Sequence, residues 1–477
     1  MIPALSRRTA LLALLAFTLF YAFYRLGAEP YYIGDESRGG VNALEMLANG
    51  DWVNLYYMGA PDEVRGKPPF LIWCISGSMA LFGQTAFALR FPSAAAITVA
   101  FYVLFQIITL YRSPGFALLT GLVLLSVAGM AGWHVGRTGD FDALLVLFLL
   151  SGVLFLLRYL DFGERRSILL TGVFWGFAFL VKGLAMGALL PGLLLNLLLT
   201  RRLGAVLRDR WVWAGVGVFA LFPLFWYTVV QLYGATWEEP VYTGRNVFER
   251  LIVHDIFERF TQTDFEGRTT TSGYHYFLYS LDVMFNLWNW AFFGSLLFGL
   301  YKTYRLGVGR ALDWLRARPL LLTCLCFWAP YAAILSLTPQ ALRQYIVPTL
   351  PFVGIATVWG FDYFSRRHAA GRYVFYGLLL FTLVRRAYQL DHPRGAPPIV
   401  AELPALERAD RIYVELDALD RDELYYVYLA NQRALRFDTT DLAGPLDYVI
   451  LKHDSPYRDR FSGREPVFAG EYGVILR

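Results

Sequence analysis

The sequence predicts a mostly α-helical, polytopic membrane protein with a small C-terminal α/β domain, and three observations lead to that class. The 477 residues are 56% hydrophobic and only 17% charged, where a soluble domain carries roughly a quarter charged residues. Apolar stretches recur along the chain, about eleven in all, each near the roughly 17–25 residues needed to cross a bilayer. After residue 390 the chain turns polar, with short β-type runs instead of apolar ones. Aromatic residues at 17% suit helix ends anchored at a membrane interface.

The expected spans lie at about 9–28, 86–110, 114–133, 142–160, 167–182, 184–200, 211–231, 283–301, 319–337, 346–363 and 373–390. The first follows Arg7-Arg8 and leads into an acidic motif with no small-residue cleavage site, so it reads as a retained span. Phe70–Phe82 is shorter and follows Pro68-Pro69, which predicts a re-entrant or interfacial helix. With the N-terminus cytoplasmic, the cytoplasmic segments hold seventeen Lys or Arg and four acids, as the positive-inside rule requires. The outer loops hold the acids, from Asp35 and Glu36 to Asp264 and Glu266. Arg385-Arg386, near the outer end of the last span, departs from the pattern.

This threading divides the chain into a membrane part, 1–390, with large outer loops at about 29–85 and 232–282, and an outer domain, 391–477. In the first loop Arg38–Asn49 has helical spacing. In the tail, Arg411–Val414, Leu446–Ile450 and Tyr472–Leu476 read as strands and Arg421–Asn431 as a helix. Cys74, Cys324 and Cys326 fit no disulfide or metal spacing and read as buried, inert thiols. The net charge of +5 follows the membrane pattern rather than a single stripe, which argues against nucleic acid.

The unusual polar residues converge at the outer ends of the spans, where charges mark a substrate pathway. Asp35 and Glu36, in Gly34-Asp35-Glu36-Ser37-Arg38, are candidates for a general base or for metal ligands. Lys67, ahead of Pro68-Pro69, is a phosphate-seeking ammonium on a fixed backbone. Arg137, Asp140 and Asp142 open a span, where an acid also favours the helix dipole. Lys182 stands alone between two apolar stretches, suited either to snorkelling or to an anion partner. Arg343 offers bidentate phosphate binding, or merely ends a helix, with Tyr345 beside it. His134, His254 and His275 have no zinc spacing and read as ordinary loop histidines. No phosphate-binding loop, dinucleotide fingerprint or nucleophile elbow is present.

Taken together and in order, several motifs resemble the GT-C membrane glycosyltransferases, of the protein O-mannosyltransferase and lipid A aminoarabinose transferase kind. They are Gly34–Arg38, Glu45–Trp52, Lys67-Pro68-Pro69, Leu89–Ser93, Arg137–Asp142, Phe179–Gly183 and Arg343–Pro348. The resemblance implies a multi-pass enzyme of the bacterial inner membrane with its active site outside the cytoplasm. It would perform an inverting transfer of a sugar from a polyprenyl-phosphate donor to a lipid, glycan or protein acceptor, aminoarabinose onto lipid A among them. Asp35, with Glu36 and Asp142, would form the catalytic acidic set. Lys67, Lys182 and Arg343 would hold the departing lipid phosphate, with Arg38, Arg137, Asp140 and Tyr345 completing the substrate-binding set.

One departure matters. The aminoarabinose transferases have Glu directly before Lys-Pro-Pro, and here Gly66 stands there, behind Arg65. That argues against a divalent metal, for which Asp35 and Glu36 are the remaining candidate ligands. It weakens the aminoarabinose reading more than the general fold. The rival class is a transporter or lipid flippase, which would place charges at mid-membrane on broken, repeated helices; no such repeat is visible.

Overall fold

The computed structural model describes residues 4–32, 34–62, 67–132, 134–233, 275–338, 342–366 and 368–477. Arg65, Gly66, His254 and the 234–274 part of the second outer loop lie outside them. The membrane part runs α1 (Arg7–Phe23), α2 (Asp35–Asn49), α3 (Phe70–Phe82), α4 (Ala86–Thr109), α5 (Pro114–Leu125), α6 (Ala128–Ala131), α7 (Asp142–Phe162), α8 (Ser167–Lys182), α9 (Leu190–Leu199), α10 (Leu203–Arg208) and α11 (Arg210–Tyr233). It continues with α12 (His275–Phe285), α13 (Trp288–Leu306), α14 (Val308–Arg316), α15 (Pro319–Leu337), α16 (Leu350–Ser365) and α17 (Ala369–Asp391).

Six described helical tracks are long and apolar enough to cross a membrane by length and composition, against about eleven spans expected. Part of the difference has simple causes: α1 has 17 residues, α5 has 12, and the 33-residue track Ser167–Leu199 is counted once. That track doubles back. Lys182 Nζ reaches Asp142, the first residue of α7, while Arg202 Nη1 donates to the Leu160 carbonyl, 2.9 Å away, near the end of α7. A straight continuation of α8 would instead carry Arg202 about 30 Å beyond Lys182, away from Leu160, at 1.5 Å per residue. The reversal falls at Lys182-Gly183, where Gly183 has φ +53°, a backbone region that glycine enters without steric cost. A 3-10 segment, Gly183–Leu189, then leads back along the bundle.

Ion pairs mark both ends of the bundle. At one end Arg112 and Arg366 share Asp362 and Arg202 meets Asp161. At the other lie α2, the 134–141 segment, Lys182 and the 3-10 turn Arg343–Thr349. Arg386, the charge that offends the positive-inside pattern, is a structural arginine: it donates to the Ala131 carbonyl at 2.7 Å.

In the first loop the helix begins at Asp35, three residues before the expected Arg38, because acids in a first turn are stabilised by the helix dipole. A two-stranded hairpin, β1 (Tyr56–Tyr57) with β2 (Ala60–Pro61), folds over α2. The α3 bounds, Phe70–Phe82, are those read from the sequence.

Beyond α17, the short α18 (Leu403–Leu406) leads into a five-stranded sheet of order β4-β3-β5-β7-β6. The strands are β3 (Ile412–Val414), β4 (Leu435–Arg436), β5 (Tyr448–Lys452), β6 (Pro466–Ala469) and β7 (Gly473–Leu476), and α19 (Arg421–Asn431) crosses between β3 and β4. β3 pairs in parallel with β4 and β5, while β7 is antiparallel to both β5 and β6. The two-residue period of the strands sorts the core. Ile412, Val414, Ile450 and Ile475 join the main hydrophobic cluster. Tyr413, Val449, Leu451, Val474 and Leu476 form a separate one with Leu442 and Leu446. Strands β4 and β6 were missed in the sequence because β4 has two residues and β6 starts on a proline.

The sheet's helix α19 packs on α2. Tyr425 and Tyr426 meet the ring of Tyr31 at 4.6 and 4.8 Å between centroids. The Tyr428 hydroxyl bonds the buried Glu45 carboxylate. A Cβ on Gly40 would lie 2.4 Å from the Tyr425 ring, so only glycine permits this approach.

Candidate active site

Asp35 and Glu36 sit side by side in the first turn of α2, yet their side chains part. Glu36 accepts from Arg90 Nε and Nη2 at 2.7 and 3.0 Å, and from the N–H groups of Tyr32 and Gly139 at 2.8 and 3.0 Å. Arg90 also donates to the carbonyls of Leu26, Glu29 and Pro30. Its two carboxylate bonds and three carbonyl bonds match the five N–H groups of a guanidinium. Both side chains are wholly buried, a state an ion pair tolerates only when fully hydrogen-bonded. Glu36, read from sequence as catalytic or metal-ligating, is therefore committed to tying α2, α4, the 26–32 segment and the 137–141 segment together.

Two more expected site residues are held in the same way. Arg38 forms a bidentate pair with buried Asp62 and lies 4.4 Å from the Tyr57 ring; Asn42 adds a 2.8 Å bond to Asp62. Arg137 donates to the carbonyls of Tyr21, Ala22 and Arg25 at 3.0, 3.3 and 3.2 Å, capping the negative end of α1. These arginines shape the loops.

The remaining residues converge. Lys67 Nζ lies 3.6 Å from Asp35 and 4.6 Å from the centre of the Phe141 ring. Asp35 keeps 37% of its side chain exposed where Glu36 keeps none, so of the two carboxylates it is the one a substrate can reach. Lys182 Nζ stands 2.5 Å from Asp142 Oδ1 and 5.8 Å from the Tyr345 ring centre. Tyr345 and Arg343 belong to the 3-10 turn, which packs on α7; Tyr331 holds that turn by a 2.9 Å bond to the Tyr345 carbonyl.

His134 Nδ1 lies 3.4 Å from Asp140 Oδ1, and Ser93 Oγ donates to the Asp140 carbonyl at 3.1 Å. Burial disfavours the charged imidazole, but Asp140, with Asp142 and Asp35 beyond it, lifts the His134 pKa above its ordinary 6.5. Burial pushes the Asp140 carboxyl up, and the opposing pull of His134 leaves it below its ordinary value. Among the described residues, Asp35, Asp140 and Asp142 thus lie against Lys67, His134 and Lys182 at one end of the bundle.

Among the described residues no three His, Cys, Asp or Glu side chains converge as metal ligands, and Glu36 is taken by Arg90.

Sequence reading missed Arg90, which lies in a motif quoted for its resemblance but was given no role. The signal was a single arginine inside a 24-residue apolar helix, since such a charge requires a buried partner. His134 was read as an ordinary loop histidine, because its distance from Asp35 in the chain hides their proximity.

In fold the chain is similar to solved ArnT structures, and part of its sequence is similar to a named family. Residues 66–227 match the family described as dolichyl-phosphate-mannose-protein mannosyltransferase. The apo structure of ArnT from Cupriavidus metallidurans superposes with a TM-score of 0.72 at 17% identity, covering 99% of this chain and 98% of that one. The structure of the same protein bound to undecaprenyl phosphate gives 0.65 at 18% identity, covering 98% and 97%. In sequence, the chain is 33% identical over 174 residues to the undecaprenyl phosphate-alpha-4-amino-4-deoxy-L-arabinose arabinosyl transferase of Aeromonas salmonicida. That match takes in 35% of this chain and spans 31% of the relative's length.

Proposed function

We propose that the protein is an inverting glycosyltransferase that moves a sugar from a polyprenyl-phosphate donor to an acceptor at the extracytoplasmic face of a bacterial inner membrane. The observation that carries the reading is the pairing of two lysines with two aspartates, Lys67 with Asp35 and Lys182 with Asp142, at one end of a helical bundle. Breaking the bond between the sugar's anomeric carbon and the phosphate oxygen leaves the electron pair on the lipid phosphate. Lys67, Lys182 and Arg343 meet that developing anion, and cations preset in a dry site stabilise it more than water does. Asp35 takes the acceptor's proton when the acceptor is a hydroxyl. When the acceptor is itself a phosphate, Asp35 only orients it. Glu36, Arg38 and Arg137 keep the loops in register around these groups.

The named relatives and the undecaprenyl-phosphate complex support an undecaprenyl-linked aminoarabinose as the first donor to try, and the motif resemblance makes lipid A the first acceptor. Gly66, where the aminoarabinose transferases that the motifs resemble have Glu, weakens the choice of that particular sugar. We further propose that the chain makes about eleven crossings, the hairpin of α8 and α9 supplying two of them, and that residues 391–477 form an outer domain seated on α2.

The test is an assay of the purified protein with a panel of polyprenyl-phosphate sugars, reading release of free polyprenyl phosphate. Release by the wild type supports the reading, and with a hydroxyl acceptor Asp35→Asn should release little or none. No release from any donor by folded protein overturns it.

A further inference from the structure

At the end of the bundle opposite Asp35, a cleft of about 700 Å³ opens where four helices meet. Pockets that hold small ligands span roughly 300–1,000 Å³. Arg112 and Ser113 come from the link between α4 and α5, Asp362 and Arg366 from the end of α16, and Arg372 from the first turn of α17. Two helices begin here and two end, so their dipoles nearly cancel. The side chains therefore set the sign, three guanidinium groups to one carboxylate.

That one carboxylate is already divided. Asp362 Oδ2 accepts from Arg112 Nη2 at 2.5 Å and from Arg366 Nη2 at 3.0 Å. Arg372 spends its Nε on the Ser365 carbonyl at 3.0 Å, which fixes the guanidinium without neutralising it. Arg112 is held flat by aromatic rings, 4.3 Å from the Trp359 centre and 4.6 Å from that of Phe116. The cations are thus positioned before any ligand arrives, which lowers the entropy lost on binding. Planar guanidinium forks match the oxygens of a phosphate, and basic pockets between the ends of membrane helices take anionic headgroups.

We propose that this cleft binds a phosphate group, carried by an anionic phospholipid headgroup or free in solution, at a site distinct from the lysine–aspartate centre. Nothing in glycosyl transfer at the far end of the bundle requires three arginines here.

The experiment uses the full chain, purified in detergent. Native mass spectrometry counts retained phosphatidylglycerol against phosphatidylcholine, and a parallel titration follows inorganic phosphate. The variants are Arg366→Gln, whose side chain is 67% exposed and so gives up little packing, and the double variant Arg366→Gln/Arg372→Gln. Thermal unfolding without lipid checks that each still folds. Selective retention of phosphatidylglycerol by the wild type, weakened about tenfold or more in a folded variant, supports the lipid source. Binding of inorganic phosphate with the same arginine dependence, and no lipid selectivity, supports the free anion. No preference for either ligand, or binding that folded Arg366→Gln leaves unchanged, overturns the proposal.

Discussion

Asp142 and Lys182 stand 2.5 Å apart, the first residue of α7 against the last of α8. The hairpin of the two helices places a carboxylate at a helix start and an ammonium at a helix end, where each is favoured by the local dipole. Both are nearly buried, so each compensates the other where water does not. Lys182→Met should strand Asp142 and cost about 3–5 kcal/mol, seen as a large fall in the thermal midpoint. Adding Asp142→Asn should restore much of that stability without restoring donor binding. Full recovery of donor binding by the double variant would remove Lys182 from the phosphate site.

Asp35→Asn keeps the shape of the first turn of α2 and removes the base. Transfer to a hydroxyl acceptor should fall by roughly 10²–10⁴-fold with the thermal midpoint unchanged. If the acceptor is a phosphate, the loss should be small, so the same variant reports on acceptor chemistry.

Glu36→Gln and Arg90→Ala should behave differently from Asp35→Asn. Each leaves a buried charge without its partner, a loss of about 3–5 kcal/mol, and the first loop should lose its anchor to α4. The expected result is poor yield of folded protein and rapid proteolysis in the 26–36 segment. A stable, correctly folded Arg90→Ala protein would show that the five-bond anchor is dispensable.

His134 and Asp140 give stability opposite pH limits. The raised pKa of His134 means its contribution is complete below its unfolded value, near 6.5, and is lost as pH rises through the folded value. The lowered pKa of Asp140 means its contribution holds above about 3.9 and is lost as pH falls through the folded value. The pair therefore stabilises most between about pH 4 and 6.5. His134→Gln should flatten the decline of the thermal midpoint above about pH 6.5; an unchanged profile would rule the pair out as its source.

Gly40→Leu should push α19 off α2, because even a Cβ meets the Tyr425 ring at 2.4 Å. Activity should fall although no reacting group has changed, and Gly40→Leu/Tyr425→Gly should regain part of it. Failure of the second change to restore any activity would show that the packing of the sheet domain on α2 does not control the site.

The sequence by itself determined where the long apolar helices lie, because hydrophobic length is a local property. Phe70–Phe82 and Arg421–Asn431 could be read to the residue, the second helped by a capping box between Asp420 and Glu423. It also determined which residue types carry chemistry, since charges at the ends of apolar helices are costly enough to stand out. Tertiary structure alone decided how they divide. Asp35 and Glu36 are neighbours in the chain, but a helix turns about 100° per residue, so one carboxylate faces Lys67 while the other turns into Arg90. Lys182 gained a carboxylate partner forty positions away through a hairpin that no local pattern encodes. Pairing of buried charges is a matter of three-dimensional reach, and it is what separates the residues available to a substrate from those that hold the site in shape.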